Sequence, residues 1–296
     1  MRVVIAGSSG LIGTALVASL RGQGHEVVRL VRRPPAGPDE YQWDPTRGTL
    51  DDRALRDADA VVDFCGVGIG DKRWSGSYKQ AIRDSRITPT EVLAEACASH
   101  SIPTFVNASG INFYGDTGDR VVDESAPAGS GFLAEVCRDW ENATSAASSA
   151  GVRTIMLRSG VVLSQRGGML DRLRPLYLLA LGGRLGSGRQ YFPWISLDDE
   201  IAAIVHGLEN DAVSGPVNMV GPAPVTNAQF NSAMARAVHR PAPWVVPGFV
   251  LRAGIGEFAQ EAILTGPRAI PSVLENTGFE FRHNTVGEAL RAAVGR

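Results

Sequence analysis

Hydrophobic and polar positions along the chain change period several times, and the changes fall at glycines. Residues 2–6 (RVVIA) are a short run rich in β-branched residues, the signature of a buried strand, whereas LIGTALVASLRGQG from Leu11 onward has helical spacing. Gly7, Gly10 and Gly13 occupy the changeover. The helix ends near Gly22 and Gly24, and His25–Val31 (HEVVRLV) returns as a second strand, giving a βαβ unit of the ~30 residues such a unit needs. The alternation continues. A third strand is predicted at Ala58–Phe64, a long helix at Ser77–Ser99, a fourth strand at Pro103–Ala108, a helix at Gly131–Ala150 and a fifth strand at Arg153–Leu157. Strands joined by helical crossovers predict an α/β fold: a doubly wound parallel sheet covered on both faces.

After Leu163 the rhythm changes. A loop (Ser164–Gly168) leads to a leucine-rich helix (Met169–Leu181) and the glycine-dense GGRLGSGRQ. A helix at Leu197–Leu208 and a strand at Pro216–Val220 return to the sheet, before a proline-rich helical tail from Val225 to Arg296. The predicted organisation is therefore interleaved: 1–163 plus about 196–221 form the sheet domain, and about 164–195 plus 222–296 form a smaller, mainly helical lobe. At 296 residues, two lobes suit the length.

Composition narrows the classes of function. A formal charge of -2 gives no global attraction for nucleic acid or an anionic membrane, so partners must be argued from local sites. Three cysteines (Cys65, Cys97, Cys137) contain no CxxC pair and no adjacent histidine spacing for a metal, which predicts a reduced, cytoplasmic setting. The opening MRVVIAG reads as strand rather than signal peptide, and no apolar run approaches the roughly 18–20 residues of a membrane span.

The turn Gly7-Ser8-Ser9-Gly10-Leu11-Ile12-Gly13 lies between a strand and a helix. There the first glycine allows a tight turn, the middle one lets backbone approach a pyrophosphate, and the third allows close helix packing. The helix N-terminus meanwhile offers unpaired N–H groups to the anion. Some 20 positions on, where an NAD site carries an acid against the ribose, stand Arg32 and Arg33. A guanidinium pairs with the 2′-phosphate of NADP where a carboxylate repels it, so NADP(H) is the predicted cofactor. Phe64, Cys65 and Gly66, at the carboxyl end of the third strand, are placed either to line the same crevice or simply to reverse the chain.

Together GSSGLIG, DAVVDFCG and NASGINFYGD resemble the extended short-chain dehydrogenases/reductases. The motifs around Arg73-Trp74, Lys79, Ser85-Arg86-Ile87, FYGDTGD, FLAEVCRDWE, LRSGVVL and PWISLDD are similar to the atypical subgroup called nucleoside-diphosphate-sugar epimerase-like. The resemblance spans nearly the whole chain. It implies a Rossmann lobe for NADP(H), a cap lobe over a small polar or nucleotide-sugar substrate, oxidoreductase or epimerase-like chemistry, and the homodimer such relatives often form. It also implies a Tyr and a Lys four residues apart on the helix after the fourth strand. Leu133 and Cys137 stand at those positions instead, and neither exchanges a proton as tyrosine does.

The remaining catalytic candidates are Ser109 (or Gly110, depending on register) and Tyr114, with Tyr78–Lys79 and Asp116 as alternatives. Glu135, Asp139 and Glu141 read as surface charges, and Asp198, Asp199 and Glu200 as an acidic first turn favouring the helix dipole. Substrate-binding candidates are Trp74, Lys79, Gln190, Trp194 and Arg268. The two tryptophans serve either as the floor of a cleft or as packing between lobes. Loss of the Tyr–Lys pair keeps a second reading open, that of a non-catalytic NADPH-binding sensor or regulator.

Overall fold

A computed structural model describes residues 1–294, so the last two positions of the tail expected to run to Arg296 lie outside the described residues. The first half alternates as its hydrophobic pattern predicts. It runs β1 (Arg2–Ala6), α1 (Leu11–Gly22), β2 (Glu26–Val31), β3 (Glu40–Asp44), β4 (Thr49–Leu50), β5 (Ala60–Asp63), α2 (Gly76–Ser99) and β6 (Thr104–Gly110). Next come β7 (Val121–Val122), α3 (Phe132–Asn142), α4 (Ser145–Ser149), β8 (Arg153–Ser159) and β9 (Val161–Leu163). Then follow α5 (Met169–Leu178), β10 (Gly183–Leu185), β11 (Trp194–Ser196), α6 (Leu197–Glu209), β12 (Gly215–Met219) and α7 (Asn227–Ala237). The chain closes with β13 (Trp244–Val246), α8 (Gly248–Ile255), β14 (Arg268–Ala269), α9 (Ser272–Asn276) and α10 (Val286–Val294).

Two departures from the sequence reading have local causes. The edge strands β3 and β4 were not expected, because RRPPAGPDE reads as loop and EYQWD lacks a buried apolar run. Backbone pairing of Arg29–Val31 with Glu40–Gln42 nevertheless extends the sheet. The helix expected over Gly131–Ala150 is broken after Asn142: Asn142, Thr144 and Ser145 at the break are weak helix formers of types that bond to nearby backbone, and the Thr144 hydroxyl bonds back to the Glu141 carbonyl.

The main sheet has the order β12-β8-β6-β5-β1-β2-β3-β4 and is parallel except for the β3–β4 edge. Successive strands run outward from β1 in opposite directions, β2 on one side and β5 on the other. The point of reversal lies at the carboxyl ends of β1 and β5, where open α/β sheets bind ligands. One face buries Val3, Ile5 and Val62 under α1 and α6, and the other buries Val4, Val61 and Phe105 under α2 and α4.

A third core joins Leu163, Leu170 and Tyr177 to Phe230, Met234, Val286 and Leu290, uniting two chain segments separated by α6 and β12. Not all of the tail belongs to it: Leu274, Phe279 and Phe281 pack back against the first sheet face.

Candidate functional site

The glycine turn is built by two steric demands within the protein. Gly7 has φ +74°, and a Cβ there would lie 2.7 Å from the Phe64 carbonyl carbon, so β1 and β5 meet through backbone alone. A Cβ on Gly13 would lie 2.4 Å from the Gly7 oxygen and 2.8 Å from the Ser8 Cα, so the third glycine sets the approach of α1 to the turn. Gly10 is different. Its nearest neighbour, the Gly7 oxygen, would be 3.4 Å from a Cβ, an ordinary contact, and its missing side chain instead leaves the backbone open to a ligand.

Gly10 is also the N-cap of α1, with no side-chain cap and no acidic residue in the first turn. The first amides of the helix are thus left for an anion. Ser8 is buried, Ser9 and Gly10 are exposed, and Leu11 reaches to Gly167 and Gly168 of the loop before α5.

The two arginines after β2 have separate tasks. Arg33 grips Glu40 through both guanidinium nitrogens at 2.7 and 2.6 Å, and Glu40 also accepts from Arg29 and from the Ala36 amide. These partners hold the Glu40 carboxyl well below its usual range, at about 2. Arg33 therefore fastens the proline-rich loop to the sheet. Arg32 is exposed and makes no side-chain hydrogen bond among the described residues, and its charge reaches the Cys65 thiol across β1. The residues fit an NADP-type dinucleotide, with Arg32 as the cation available to a 2′-phosphate.

At the end of β5, Asp63 is fully buried and accepts from the Cys65 amide and the Thr90 hydroxyl, which also bonds Asn107 and Trp140. Burial pushes the Asp63 carboxyl up. Burial, reinforced by the neighbouring Asp63 charge, pushes the Cys65 thiol up as well, so this cysteine is no nucleophile.

The positions of the absent Tyr–Lys pair are sealed. Leu133 and Cys137 are both buried, and burial raises the Cys137 thiol to about 12. Ser109 and Tyr114, expected as catalytic candidates, are instead members of a closed polar chain. Ser109 donates to Glu141 at 2.7 Å, and Glu141 holds Arg158 through two bonds of 2.8 Å. Arg158 donates to the Tyr114 hydroxyl, which donates to Asn218, both at 2.8 Å.

Tyr114 is 2% exposed, and burial raises its phenol to about 12, the opposite of what a proton donor needs. Glu141 is correspondingly no surface charge: its side chain is 9% exposed and satisfies the buried arginine. Asp139 is partly covered and pairs with Arg83.

The acidic first turn of α6 is present as expected, but two of its three acids are withdrawn from water. Asp199 and Glu200 are buried, and Asp199 accepts from the Arg282 and His283 amides, pinning the tail. Glu200 accepts from Ser159 at 2.7 Å through Oε1, while its Oε2 is buried without a partner among the described residues. Desolvation raises this carboxyl to about 8. Ser159 ends β8 and stands in register opposite Gly110 of β6, on the carboxyl edge of the sheet. The sequence reading missed this pair. The only hint was an acid directly after the Ser-Leu-Asp-Asp cap, where periodicity puts it on the inner face of α6.

Of the substrate-binding candidates, Trp74 and Lys79 come together, with Lys79 5.6 Å from the Trp74 ring centroid, and each of the five is engaged within the protein. Trp194 is 1% exposed, with its indole bonded to the Ala223 carbonyl, so it is core and floors no cleft. Trp74 sits between Phe132 and Phe258 at centroid distances of 5.0 and 5.6 Å. Lys79 lies over Phe132 and pairs with Glu257 at 2.6 Å, so both residues join the sheet domain to the tail lobe. Gln190 bonds the Leu185 and Ile263 carbonyls. Arg268 bonds the Asp119 carbonyl and lies over Tyr191, while its Nε is buried with no partner among the described residues.

Comparison with known proteins agrees with this geometry. Residues 3–221 match the model of the NAD dependent epimerase/dehydratase family, and residues 246–293 match a domain of unknown function, DUF1731. An epimerase family protein of Mycobacterium leprae is 55% identical over 294 residues, covering 99% of this chain and 96% of that protein. The epimerase family protein SDR39U1 of Homo sapiens is 33% identical over 299 residues, covering 99% and 100%. A crystal structure of human SDR39U1 with NADPH superposes with a TM-score of 0.91 at 32% identity, covering 100% of this chain and 99% of that one. A UDP-glucose 4-epimerase from Thermus thermophilus, solved with NAD, shares the fold with a TM-score of 0.75 at 19% identity. The chain has the extended short-chain dehydrogenase/reductase fold, and it belongs to the NAD dependent epimerase/dehydratase family.

Proposed function

We propose that the protein is an NADPH-dependent oxidoreductase acting on a carbonyl group of a small polar or nucleotide-sugar substrate. The observation that carries this reading is the combination of an uncapped α1 N-terminus behind Gly10 with an exposed Arg32 just after β2 that has no side-chain partner among the described residues. The crystal structure of the related human protein with NADPH supports the choice of cofactor.

When bound, the reduced nicotinamide supplies the hydride. The turn Gly7–Gly13 and the α1 amides hold the pyrophosphate, Arg32 holds the 2′-phosphate, and Phe64–Gly66 line the crevice. With Tyr114 buried, the proton is assigned to a relay: the Ser159 hydroxyl, which here donates to Glu200, turns to the carbonyl oxygen and takes the proton of the Glu200 carboxyl as it gives up its own, desolvation having raised that carboxyl to about 8. Reduction then balances as hydride to the carbonyl carbon and one proton to its oxygen. Epimerisation demands the same group in both directions, so simple reduction is the more economical assignment.

A second reading, an NADPH-binding regulator without turnover, is favoured by the buried Leu133 and Cys137 at the positions where the short-chain dehydrogenase/reductase resemblance implies tyrosine and lysine. The first experiment is calorimetry with NADPH and NADH on wild type, Arg32→Asp and Arg33→Asp. Arg32→Asp should lose the preference for NADPH, whereas Arg33→Asp should mainly loosen the loop held by Glu40. Equal affinity for the two cofactors in the wild type overturns the NADPH assignment. NADPH oxidation is then followed across a panel of carbonyl compounds and nucleotide sugars. Tight binding with no turnover on any of them selects the regulator.

A further inference from the structure

We propose that the tail lobe docks on an anionic lipid surface through the face made by the end of α5, the β10–β13 pair and α8. Large apolar side chains are exposed there in one continuous strip, with Leu179 at 69%, Trp244 at 58% and Phe249 at 68%, flanked by Leu181, Val245 and Val250. The strip is continuous because β10 and β13 pair from Gly183–Trp244 to Leu185–Val246 and the Trp244 indole bonds the Ala180 carbonyl at the end of α5. α8 follows β13 directly and buries none of its residues fully. An apolar face of this kind on a water-soluble fold marks a contact surface.

Charge identifies the partner. Positions 173–189 and 236–256 hold six arginines (Arg174, Arg184, Arg189, Arg236, Arg240, Arg252) and no aspartate or glutamate, in a chain whose formal charge is -2. Where their guanidinium groups bond within the protein they use neutral acceptors: the Ser187 carbonyl for Arg184, the His239 carbonyl for Arg240 and the Gln260 side chain for Arg252. Their charge is therefore left to an external anion. A second copy of the chain on this face would set the same arginines against each other across a two-fold axis. Exposed Trp, Phe and Leu carried on two segments that hold six arginines and no carboxylate match a headgroup layer of lipid phosphates over acyl chains.

The test is flotation of the NADPH-loaded, full-length protein with phosphatidylcholine vesicles, with and without phosphatidylglycerol, at low and high salt. Wild type is expected to float with the phosphatidylglycerol vesicles alone and to be released by salt. Its emission should shift to the blue, because Trp244 is exposed whereas Trp43, Trp140 and Trp194 are buried. Trp244→Ser with Phe249→Ser, and separately Arg240→Glu with Arg252→Glu, should each lower the bound fraction more than tenfold while calorimetric NADPH binding is retained. Equal partition onto both vesicle types, or no partition and no spectral shift in the wild type, overturns the proposal. So does a wild-type dimer that Trp244→Ser with Phe249→Ser renders monomeric, since that gives the face to a second copy. Cofactor affinity is measured separately, so failure here leaves the functional reading untouched.

Discussion

Glu200 shows how far one residue's chemistry depends on its surroundings. Removed from water, with one oxygen bonded to Ser159 and the other without a partner among the described residues, its carboxyl is raised to about 8 from its ordinary 4.5. The folded state therefore binds a proton that the unfolded chain releases between those values. Stability contributed by this group is present below pH about 4.5 and is lost as pH rises toward 8. Glu200→Gln keeps the shape and removes the titration, so its thermal midpoint should fall less than that of wild type between pH 6 and 9, as followed by circular dichroism. If Glu200 also feeds protons to Ser159, the same variant should lower kcat and flatten its pH profile without changing NADPH affinity.

Tyr114 makes the contrasting case. Tyr114→Phe leaves Arg158 and Asn218 each short of one bond, and should cost ~1–3 kcal/mol in urea unfolding with cofactor binding unchanged. Loss of hydride transfer with full stability would restore Tyr114 as a catalytic group.

Among the elements, α1 has the tightest tolerance. Its angle to β1 is set by Gly13 against the Gly7 carbonyl, and the turn cannot absorb a Cβ at 2.4 Å without moving backbone. Gly13→Ala should cost ~1–3 kcal/mol as overpacking and weaken NADPH binding in parallel, whereas Gly10→Ala should spare stability and weaken NADPH alone. Urea unfolding and calorimetry on the two variants separate these outcomes. The same turn was legible in the sequence, because a β-branched run, three glycines and an amphipathic helix occur in succession. The edge strand β3 was not legible, since Glu40 owes its place to Arg29 and Arg33 rather than to apolar alternation. The break between α3 and α4 was visible only as weak propensity.

Over the whole molecule, the two lobes meet where the segment around Trp74 and Lys79 packs on Phe258 and Glu257. Glu261 strengthens the junction by accepting from the Leu133 amide at the start of α3. Trp74→Ala removes the aromatic hinge of this contact, and should raise the rate of limited proteolysis in the tail lobe and raise KM more than it lowers kcat. An unchanged digestion pattern would show that the lobes are held elsewhere.

By itself the sequence determined the strand–turn–helix cradle, the parallel α/β sheet, the replacement of the Tyr–Lys pair and the arginines after β2, because each is a local pattern of residue types. Tertiary structure alone decided which polar groups are free. Burial closed Ser109, Tyr114 and Glu141 around Arg158, the Glu40 carboxylate claimed Arg33 and left Arg32, and desolvation turned Glu200 from a helix-end charge into a proton-holding acid. Those outcomes depend on distances between residues far apart in the chain, which spacing along a sequence does not record.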